Sequence, residues 1–416
     1  MACGALWVAG CASTASEVPA PPRCEPEAGA FCVVVGTGEA AFTGDDGPAS
    51  TAAVFLPADV VTAEDGSLLL LDWGNNRVRR IDSATGTITT VAGNGAFAGT
   101  PEGAARETSL AHPAHALPGR DGGPLLAVIT HGHRIVSVDT RTGQLTRWCG
   151  RGVAAYDGDD GPCAEAGFDS PSAIVRSPRG GWFVVDAGNH VVREVDVQGI
   201  VRTVVGRCHI EDAPGVHACA PGEPVRACPG SGKRYCGDAA PGDVCFLRCA
   251  ARSEGQDGPL GGVRLACPSG MSADPGCRLE PEASGALLLT DTLGHRVRRL
   301  DFASGTIAPV AGTGAPGYSG DGGPALAAQL NRPADVAALL DGRIVVADAF
   351  NHCVRVIDKN SVIQPLVGTC GKTGPAMPQG KARETRLNVP YGVSVDPRGG
   401  LLVADTLHHV VIRVGL

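Results

Sequence analysis

The sequence is poor in aromatic residues, and basic residues are not in excess. Phe, Trp and Tyr make up 4% of the 416 residues, and the formal net charge is −8. Nucleic-acid binding needs clustered Lys and Arg against the phosphates, often with aromatic rings that stack on the bases. The composition therefore argues against a nucleic-acid partner.

Common signatures of enzymes are missing as well. The sequence contains no GxSxG motif, no HExxH motif and no EF-hand loop. A GSGK segment at 230–233 resembles part of a phosphate-binding loop, but neither a strand nor a helix is predicted around it. No apolar stretch is long enough to span a membrane. The common hydrolase, zinc-protease and nucleotide-binding classes are thus without support.

The N-terminus has a short apolar stretch, MACGALWVAGCAS, in which residues 8–11 resemble the lipobox of bacterial lipoproteins. We therefore expect a lipoprotein-like signal segment over 1–11, lipidation of Cys11 and a flexible tether over 12–30. The protein would be extracytoplasmic: an outer-membrane or cell-surface lipoprotein, or a secreted or periplasmic protein. It would meet the membrane only through the lipid anchor. The alternative is an ordinary flexible N-terminus.

Cysteine, in contrast, is abundant, with 16 residues. Half of them fall in one Gly- and Pro-rich stretch: Cys208, Cys219, Cys228, Cys236, Cys245, Cys249, Cys267 and Cys277. Such a segment buries little apolar surface and needs covalent cross-links, and paired CxxC spacings typical of zinc sites are absent. We expect disulfides here, in an oxidising compartment. The spacing does not give their pairing, nor whether Cys149, Cys163, Cys353 and Cys370 pair.

The chain is an internal repeat with a period of about 57 residues. An Asp that ends an apolar run recurs at Asp72, Asp186, Asp291, Asp348 and Asp405, with Ile129 in its place in the second copy. The steps are 57 residues except for one of 105, which implies an insertion that we place at 207–254. Each unit holds four short apolar runs separated by Gly, Asp and Asn, which are typical of strands and turns.

Six units of four strands predict an all-β, six-bladed β-propeller over 31–416. The chain begins with a lone outer-strand copy, FCVVVG (31–36), and its last unit lacks that strand. The N-terminal strand should therefore complete the sixth blade and close the ring, which would leave no unpaired edge at the seam.

One unit reads VAGTGAPGYSGDGGPALAAQLNRPADVAALLDGRIVVADAFNHCVRVID (310–358). Its GDGGPA, LNRP, VAD and NHxVR motifs resemble the NHL-repeat family, in its bacterial and teneurin-type versions. The resemblance extends over 31–416 apart from the insertion. It implies a rigid propeller with variable loops, a form suited to recognition.

The recurring Asp-x-x-Asn-His turn looks catalytic but is interpreted as architecture, because a unique active site does not recur around a ring. The five Asp markers should accept backbone N–H bonds, and the His residues of the same turns should bond neighbouring loops. These are His190, His295, His352 and His409. The second copy, with Ile129 and the turn THGHR, should be less well bonded.

The mouth of the central channel is a candidate site. Two residues beyond the repeat Pro of each unit stand Asp59, His115, Ala173, Gly270, Asp335 and Gly392. Asp59, His115 and Asp335 could converge on a divalent metal, zinc or calcium; the alternative is that they only cap strands. In the related peptidylglycine lyase, His residues from the inner-strand starts bind zinc. The matching residues here include no His: Ala58, Ala114, Ser172, Ser269, Ala334 and Tyr391.

The inter-blade loops are acidic and carry the Cys-rich insertion. Their carboxylates suggest either calcium or simply turn and helix-start residues: Asp45, Asp46, Asp159, Asp160 and Asp321. We therefore expect a binding or interaction scaffold, with a protein or carbohydrate ligand on the inter-blade loop face and the insertion. The alternative is a metal-dependent lyase or hydrolase at the channel mouth.

Overall fold

The computed structural model describes residues 24–206, 277–396 and 398–416, with 225–227, 234–236, 258–260, 265 and 267. The expected signal segment with Cys11, the tether up to residue 23 and most of the insertion lie outside these residues. Within them, no helix has the length and apolar character needed to cross a membrane.

The described chain forms six antiparallel blades, which confirms the predicted six-bladed propeller. The first strands of neighbouring blades contact one another around the whole ring and therefore surround the central axis. The strands of blades 1 to 3 are Pro57–Thr62, Leu68–Asp72, Arg77–Ile81 and Thr87–Ala92; Pro113–Leu117, Leu125–Ile129, Arg134–Asp139 and Gln144–Cys149; Pro171–Arg176, Trp182–Asp186, Val191–Val195 and Ile200–Val205.

Blades 4 to 6 follow the same order from axis to rim. Their strands are Leu279–Pro281, Leu287–Asp291, Arg296–Asp301 and Thr306–Ala311; Pro333–Ala338, Ile344–Asp348, Cys353–Ile357 and Ile363–Val367; Pro390–Asp396, Gly400–Asp405, Val410–Gly415 and, from the N-terminus, Ala30–Val35. In the insertion, Val225–Ala227 pairs with Arg234–Cys236.

The N-terminal strand closes the ring as predicted. Phe31 pairs with Val414 and Cys32 with Arg413, so Ala30–Val35 is the outer strand of blade 6. Residues 24–30, the end of the expected tether, are also attached to this blade. Gly29 N donates to Gly415 O at 2.9 Å, and Cys24 forms a disulfide with Cys32.

Most blades carry a fifth, very short edge strand that the apolar pattern does not reveal. It comes from the connection that enters the blade and pairs with the outer strand, as Gly47–Pro48 does with Thr87 and Ile88. The other edge strands are Gly103–Ala104, Gly161–Pro162, Gly258–Pro259 and Gln379–Lys381. The connections and turns also contain 3-10 helical turns: Ala49–Thr51, Trp73–Asn75, Cys163–Glu165, Ala187–Asn189, Ala325–Ala327, Ala349–Asn351, Ala382–Glu384 and Thr406–His408.

The core consists of six apolar layers, each lying between two neighbouring blades. Strand alternation explains this arrangement. In the run LLLL at 68–71, Leu69 and Leu71 pack against blade 2, whereas Leu68 and Leu70 pack against blade 6. The second strands are therefore apolar on both faces, and each buried Leu contributes about 1.5–3 kcal/mol.

The repeated Gly at the end of each outer strand has a steric cause. Gly93 has φ +98°, and a Cβ there would lie 2.2 Å from the backbone oxygen of Asn76. Gly36 has the same φ, and a Cβ there would lie 2.4 Å from the backbone oxygen of His409. Only glycine fits where the rim strand passes so close to the neighbouring turn.

The described cysteines confirm disulfide bonding. The bonded pairs are Cys24–Cys32, Cys267–Cys277 and Cys353–Cys370. Cys149 and Cys163 are buried thiols. The remaining cysteines expected to cross-link the insertion lie outside the residues whose side chains are described: Cys208, Cys219, Cys228, Cys236, Cys245 and Cys249.

Candidate functional site

Equivalent positions of the six inner strands form one layer around the axis. Asp59 pairs in register with Leu71, and Asp335 pairs with Ala347. In blade 4, Leu279 pairs with Leu289 as Val60 pairs with Leu70, so the preceding residue, Arg278, corresponds to Asp59. The layer consists of Asp59, His115, Ala173, Arg278, Asp335 and Gly392.

The sequence placed Gly270 in this layer, and that assignment was wrong. Gly258 lies 97 residues after its counterpart Gly161, whereas Arg278 lies 105 residues after its counterpart Ala173. Eight further residues therefore precede the inner strand of blade 4, within a segment that the Cys267–Cys277 disulfide brackets. Gly270 itself lies outside the described residues.

Arg278, which the sequence analysis missed, crosses the channel. Blade 4 stands opposite blade 1, and Arg278 Nη1 lies 3.3 Å from Asp59 Oδ2. Its Nη2 donates to Ala114 O of blade 2 at 2.7 Å, and its backbone N donates to Thr290 Oγ1 at 2.8 Å. The Arg278 side chain is only 1% exposed. A guanidinium therefore occupies the position that the sequence suggested for a metal ion.

His115 is close to Asp59, as predicted. Its Nε2 lies 3.7 Å from Asp59 Oδ2, and Ile174 N donates to its Nδ1 at 3.4 Å. Burial, and then the charge of Arg278, hold the pKa of His115 well below its ordinary value. The imidazole is therefore neutral and accepts a backbone hydrogen bond.

The acidic side chains near Arg278 are crowded and largely bonded. Asp59 accepts from Val60 N at 2.7 Å, and Asp335 accepts from Val336 N and Val393 N at 2.9 Å each. Burial, then Asp59, raises the pKa of Asp335 to about 7. The pKa of Asp59 is also raised, chiefly by burial.

Glu280 lies two residues after Arg278, in the inner strand of blade 4, and interacts with these charges. Burial raises its pKa to about 8, with further contributions from the charges of Asp335 and Asp59. Glu280 and His115 both line a cavity of about 430 Å³ at the far ends of the inner strands. Asp59, Asp335 and Glu280 thus share the positive charge of one guanidinium. Protonation reduces the negative charge that remains.

This donor set does not fit calcium or zinc. Asp335 has a backbone N–H on each oxygen, and Asp59 faces Arg278. In the part of the chain that the structure describes, no three His, Cys, Asp or Glu side chains are grouped so that they could hold a metal ion. The layer instead connects the blades electrostatically across the axis.

The repeated Asp turns are hydrogen-bonded internally. In blade 5, Asn331 N donates to Asp348 Oδ1 at 2.7 Å, and Asn351 Nδ2 donates to Asp348 Oδ2 at 2.8 Å. Arg355, fully buried, lies 3.3 Å from the same carboxylate and also binds Asp321. Asp72, Asp186 and Asp291 have a buried arginine in the same way, and Asp405 binds His408.

Three of the five loop carboxylates suggested for calcium, the first Asp of each loop, bind a buried arginine. Asp45 Oδ1 lies 2.7 Å from Arg79 Nη2, and Asp159 Oδ1 lies 2.7 Å from Arg193 Nη2. Asp321 binds Arg355 in the same way. The first Asp of the GDDG or GDGG loop therefore anchors the connection to the buried arginine of the blade it enters.

The last residue of each turn connects one blade to the next. His352 Nδ1 accepts from Val389 N at 3.2 Å, and His409 Nδ1 accepts from Leu56 N at 3.2 Å across the seam. Each of these His has φ near +55°, a region that Asn and His tolerate better than most residues. The same bond involves Asn76, His133, His190 and His295 at the other junctions.

Sequence reasoning also missed a cluster of rings at the junction of blades 1 and 2. His112 Nδ1 lies 2.7 Å from His131 Nδ1, and Trp73 stacks on His112 with 3.5 Å between ring centroids. Phe97, 59% exposed, covers the pair with its centroid 4.6 Å from that of His112. Burial, then His131, lowers the pKa of His112 to about 4. No spacing rule links these four positions, so only the fold brings them together.

Comparison with known proteins gives the repeat its name. The family model for the NHL repeat matches residues 330–357, which cover the first three strands of blade 5. The curated protein SUPPRESSOR OF QUENCHING 1, chloroplastic, from Arabidopsis thaliana is 33% identical over 102 residues. That match covers 24% of this chain and 10% of the plant protein, so the chain spans about a tenth of that relative.

Two solved structures from Bacteroides thetaiotaomicron are similar in fold. One, described as an auxiliary nutrient binding protein, has a TM-score of 0.61 at 12% identity and covers 93% of this chain and 76% of its own. The other, a protein of unknown function, has a TM-score of 0.60 at 14% identity and covers 92% of this chain and 75% of its own. The chain therefore has a β-propeller fold, and residues 330–357 of its blade 5 match the NHL repeat.

Proposed function

We propose that the protein is an extracytoplasmic binding scaffold that recognises a protein or carbohydrate on its loop face. The loop face is the side of the ring that holds the turns between second and third strands and the parts of the inter-blade connections beside those turns. The main support for this proposal is the position of the exposed apolar side chains. Of the nine exposed large hydrophobic residues in the described part of the chain, six lie on the loop face: Phe42, Phe97, Val153, Tyr318, Met377 and Leu407.

The opposite face is poorer in such residues. Val197 and Leu340, in hairpins of blades 3 and 5, and Leu326, beside the Ser361 hairpin of blade 5, are the remaining three of the nine. Exposed apolar groups gathered on one side of a soluble domain favour an interaction surface, whereas single scattered ones are ordinary. The Cys-rich insertion, 207–254, enters through the connection between blades 3 and 4 and would extend this face.

Two observations support an extracytoplasmic site of action. The described disulfides include Cys353–Cys370 and Cys24–Cys32, and disulfides persist in oxidising compartments. The similar Bacteroides structure is described as a nutrient binding protein, which is in keeping with a scaffold of this kind. Within this proposal, lipidation of Cys11 would attach the propeller to a membrane surface.

The rival function, a metal-dependent lyase or hydrolase at the channel mouth, has less support. Its three residues, Asp59, His115 and Asp335, surround Arg278 rather than an open coordination site. A scaffold requires only that this layer hold the ring together, and the buried network does so.

The test compares the two faces directly. The protein is immobilised and probed with a glycan array and with purified envelope proteins. A loop-face variant carries Tyr318→Ser, Met377→Ser and Leu407→Ser, and a matched variant carries Val197→Ser and Leu340→Ser on the opposite face. A ligand whose affinity falls at least about tenfold in the first variant and is unchanged in the second supports the proposal.

Equal affinity of every ligand for the two variants would contradict it. A third variant lacking residues 208–254 tests the insertion separately, because a ligand that still binds it normally does not need that segment. Circular dichroism and thermal unfolding of each variant establish that the propeller is intact before binding is compared.

A further inference from the structure

Among the residues that the structure describes, the cluster of rings on the loop face has no counterpart in the other blades. At the position of Trp73 the other units have small residues, such as Ala187 in blade 3 and Ala349 in blade 5. His131 stands where blades 1 and 3 have Gly. The cluster is therefore a property of one junction and not of the repeat, and the repeat architecture does not require it.

Backbone hydrogen bonds fix the two imidazoles relative to each other. Thr130 N donates to His112 O, and His131 N donates to Ala111 O, at 3.1 Å each. His112 N donates in turn to Asn76 Oδ1 at 3.1 Å, so its turn is also held by blade 1. Both rings thus project from turns that are directly bonded to each other. The backbone positions of the two side chains are thus fixed before an ion binds, which lowers the entropic cost of bringing the two Nδ1 atoms together.

The separation of the two imidazole nitrogens is close to the one that a single transition metal ion requires. Metal–imidazole bonds are about 2.0–2.1 Å long, so two nitrogens on one ion are about 2.9–3.4 Å apart. The present 2.7 Å separation is a hydrogen bond, in which one ring donates and the other accepts. For one ion to bind, both rings must turn so that their Nδ1 lone pairs converge, the separation must open by a few tenths of an ångström, and the shared proton must move to the Nε2 of the same ring.

We propose that His112 and His131 bind one divalent first-row transition metal ion, Cu²⁺ most tightly, through their Nδ1 atoms on the loop face. Imidazole suits Cu²⁺, Ni²⁺ and Zn²⁺, and Cu²⁺ heads the usual order of affinities. A cis pair of nitrogens on Cu²⁺ needs the shorter end of the distance range, nearest to the one observed. Because no third His, Cys, Asp or Glu joins the pair within the described residues, water or a bound ligand completes the coordination.

This site differs from the axial one in position and chemistry. It lies on the outer surface at the junction of blades 1 and 2, partly covered by Phe97. It does not depend on the scaffold proposal, since the metal would bind whether or not the loop face has a macromolecular partner.

The experiment is a titration of the full-length oxidised protein with Cu²⁺ alone, followed by Zn²⁺ alone, near neutral pH. Trp73 contacts His112, so Cu²⁺ at this site should quench part of the tryptophan fluorescence, and electron paramagnetic resonance should show nitrogen ligands. Trp73→Phe should bind the same number of ions and lose that quenching. His112→Ala and His131→Ala should each lose one equivalent or bind it at least about tenfold more weakly.

Two further variants separate metal binding from a structural hydrogen bond. His131→Gln can still bond to His112 but is a poor Cu²⁺ ligand, so it should keep the unfolding temperature and lose the ion. His352→Asn alters a His that connects two blades and should bind Cu²⁺ normally. If His131→Gln and the native protein bind the same number of ions with the same quenching, the pair is a hydrogen bond only and the proposal is wrong.

Discussion

Blades 2 and 5 have the same backbone arrangement but different side chains in the turn between their second and third strands. In blade 5, Asp348 is bonded to Asn331 N, to Asn351 and to the buried Arg355. In blade 2, the residues corresponding to Asp348, Asn351 and Arg355 are Ile129, Gly132 and Val136. One turn is therefore built around a buried ion pair and the other around apolar and small residues.

The comparison shows which part of the turn the fold requires. The backbone bond from Phe350 N to Asn331 O, 3.1 Å, has its equivalent in the bond from His131 N to Ala111 O, also 3.1 Å. His133 also keeps its bond to the next blade, with Ser170 N donating to its Nδ1 at 3.1 Å. Ile129 has no acceptor to replace the carboxylate of Asp348, but the backbone ladder and the inter-blade bond persist in blade 2. The polar network is thus an addition, and the blade without it carries the cluster of rings.

The largest effect is expected from breaking the network in blade 5. Asp348→Ala removes the carboxylate and leaves the fully buried Arg355 with less compensation, a change that typically costs about 3–5 kcal/mol. Because Asp321 and two backbone carbonyls still bind Arg355, we expect about 3 kcal/mol. The measurement is the free energy of unfolding from urea titration followed by circular dichroism.

A triple variant makes the same comparison sharper. Asp348→Ile, Asn351→Gly and Arg355→Val together copy blade 2 into blade 5 and remove both partners of the ion pair at once. Replacing a whole buried pair by apolar residues costs far less than removing one partner. The triple variant should therefore be more stable than Asp348→Ala. If it is equally unstable or worse, the network is a requirement of blade 5 and the comparison with blade 2 does not hold.

The period of the sequence was enough to predict the six blades, the closing strand and the turn chemistry, because these depend on local patterns repeated six times. The axial layer was predicted only in part. Asp59 and His115 do meet, but Arg278 was hidden because a second insertion of eight residues shifts the count in blade 4. The ring cluster could not be predicted, since Trp73 and His131 become neighbours only through the packing of two blades.

A smaller change in stability is expected from a substitution at the central axis. Blade 4 has Glu280 at a position where blade 2 has the apolar Leu117. The pKa of Glu280 is raised to about 8, so the folded protein binds a proton that the unfolded chain has lost. Its favourable contribution is complete below the ordinary glutamate pKa and is lost as the pH rises through 8.

Glu280→Gln should therefore change stability little at pH 4, below the ordinary glutamate pKa, where Glu280 is neutral in the folded protein and mostly neutral in the unfolded chain. At pH 9 the variant should be more stable by at least about 1 kcal/mol, because no charge has to form in the channel. Thermal and urea unfolding at the two pH values measure the difference. A variant that loses stability equally at both pH values would show that the residue acts through packing instead.

The smallest effect tests the bond that blades 2 and 5 have in common. His352 accepts from Val389 N and occupies a left-handed conformation, and blade 1 uses Asn76 for the same purpose. His352→Asn keeps both an acceptor and a residue that tolerates positive φ, so its cost should stay below about 0.5 kcal/mol. His352→Ala loses the acceptor and is strained at that φ, so about 1–2 kcal/mol is expected. If Asn and Ala are equally costly in urea unfolding, the imidazole acts by filling space, and the inter-blade hydrogen bond contributes little.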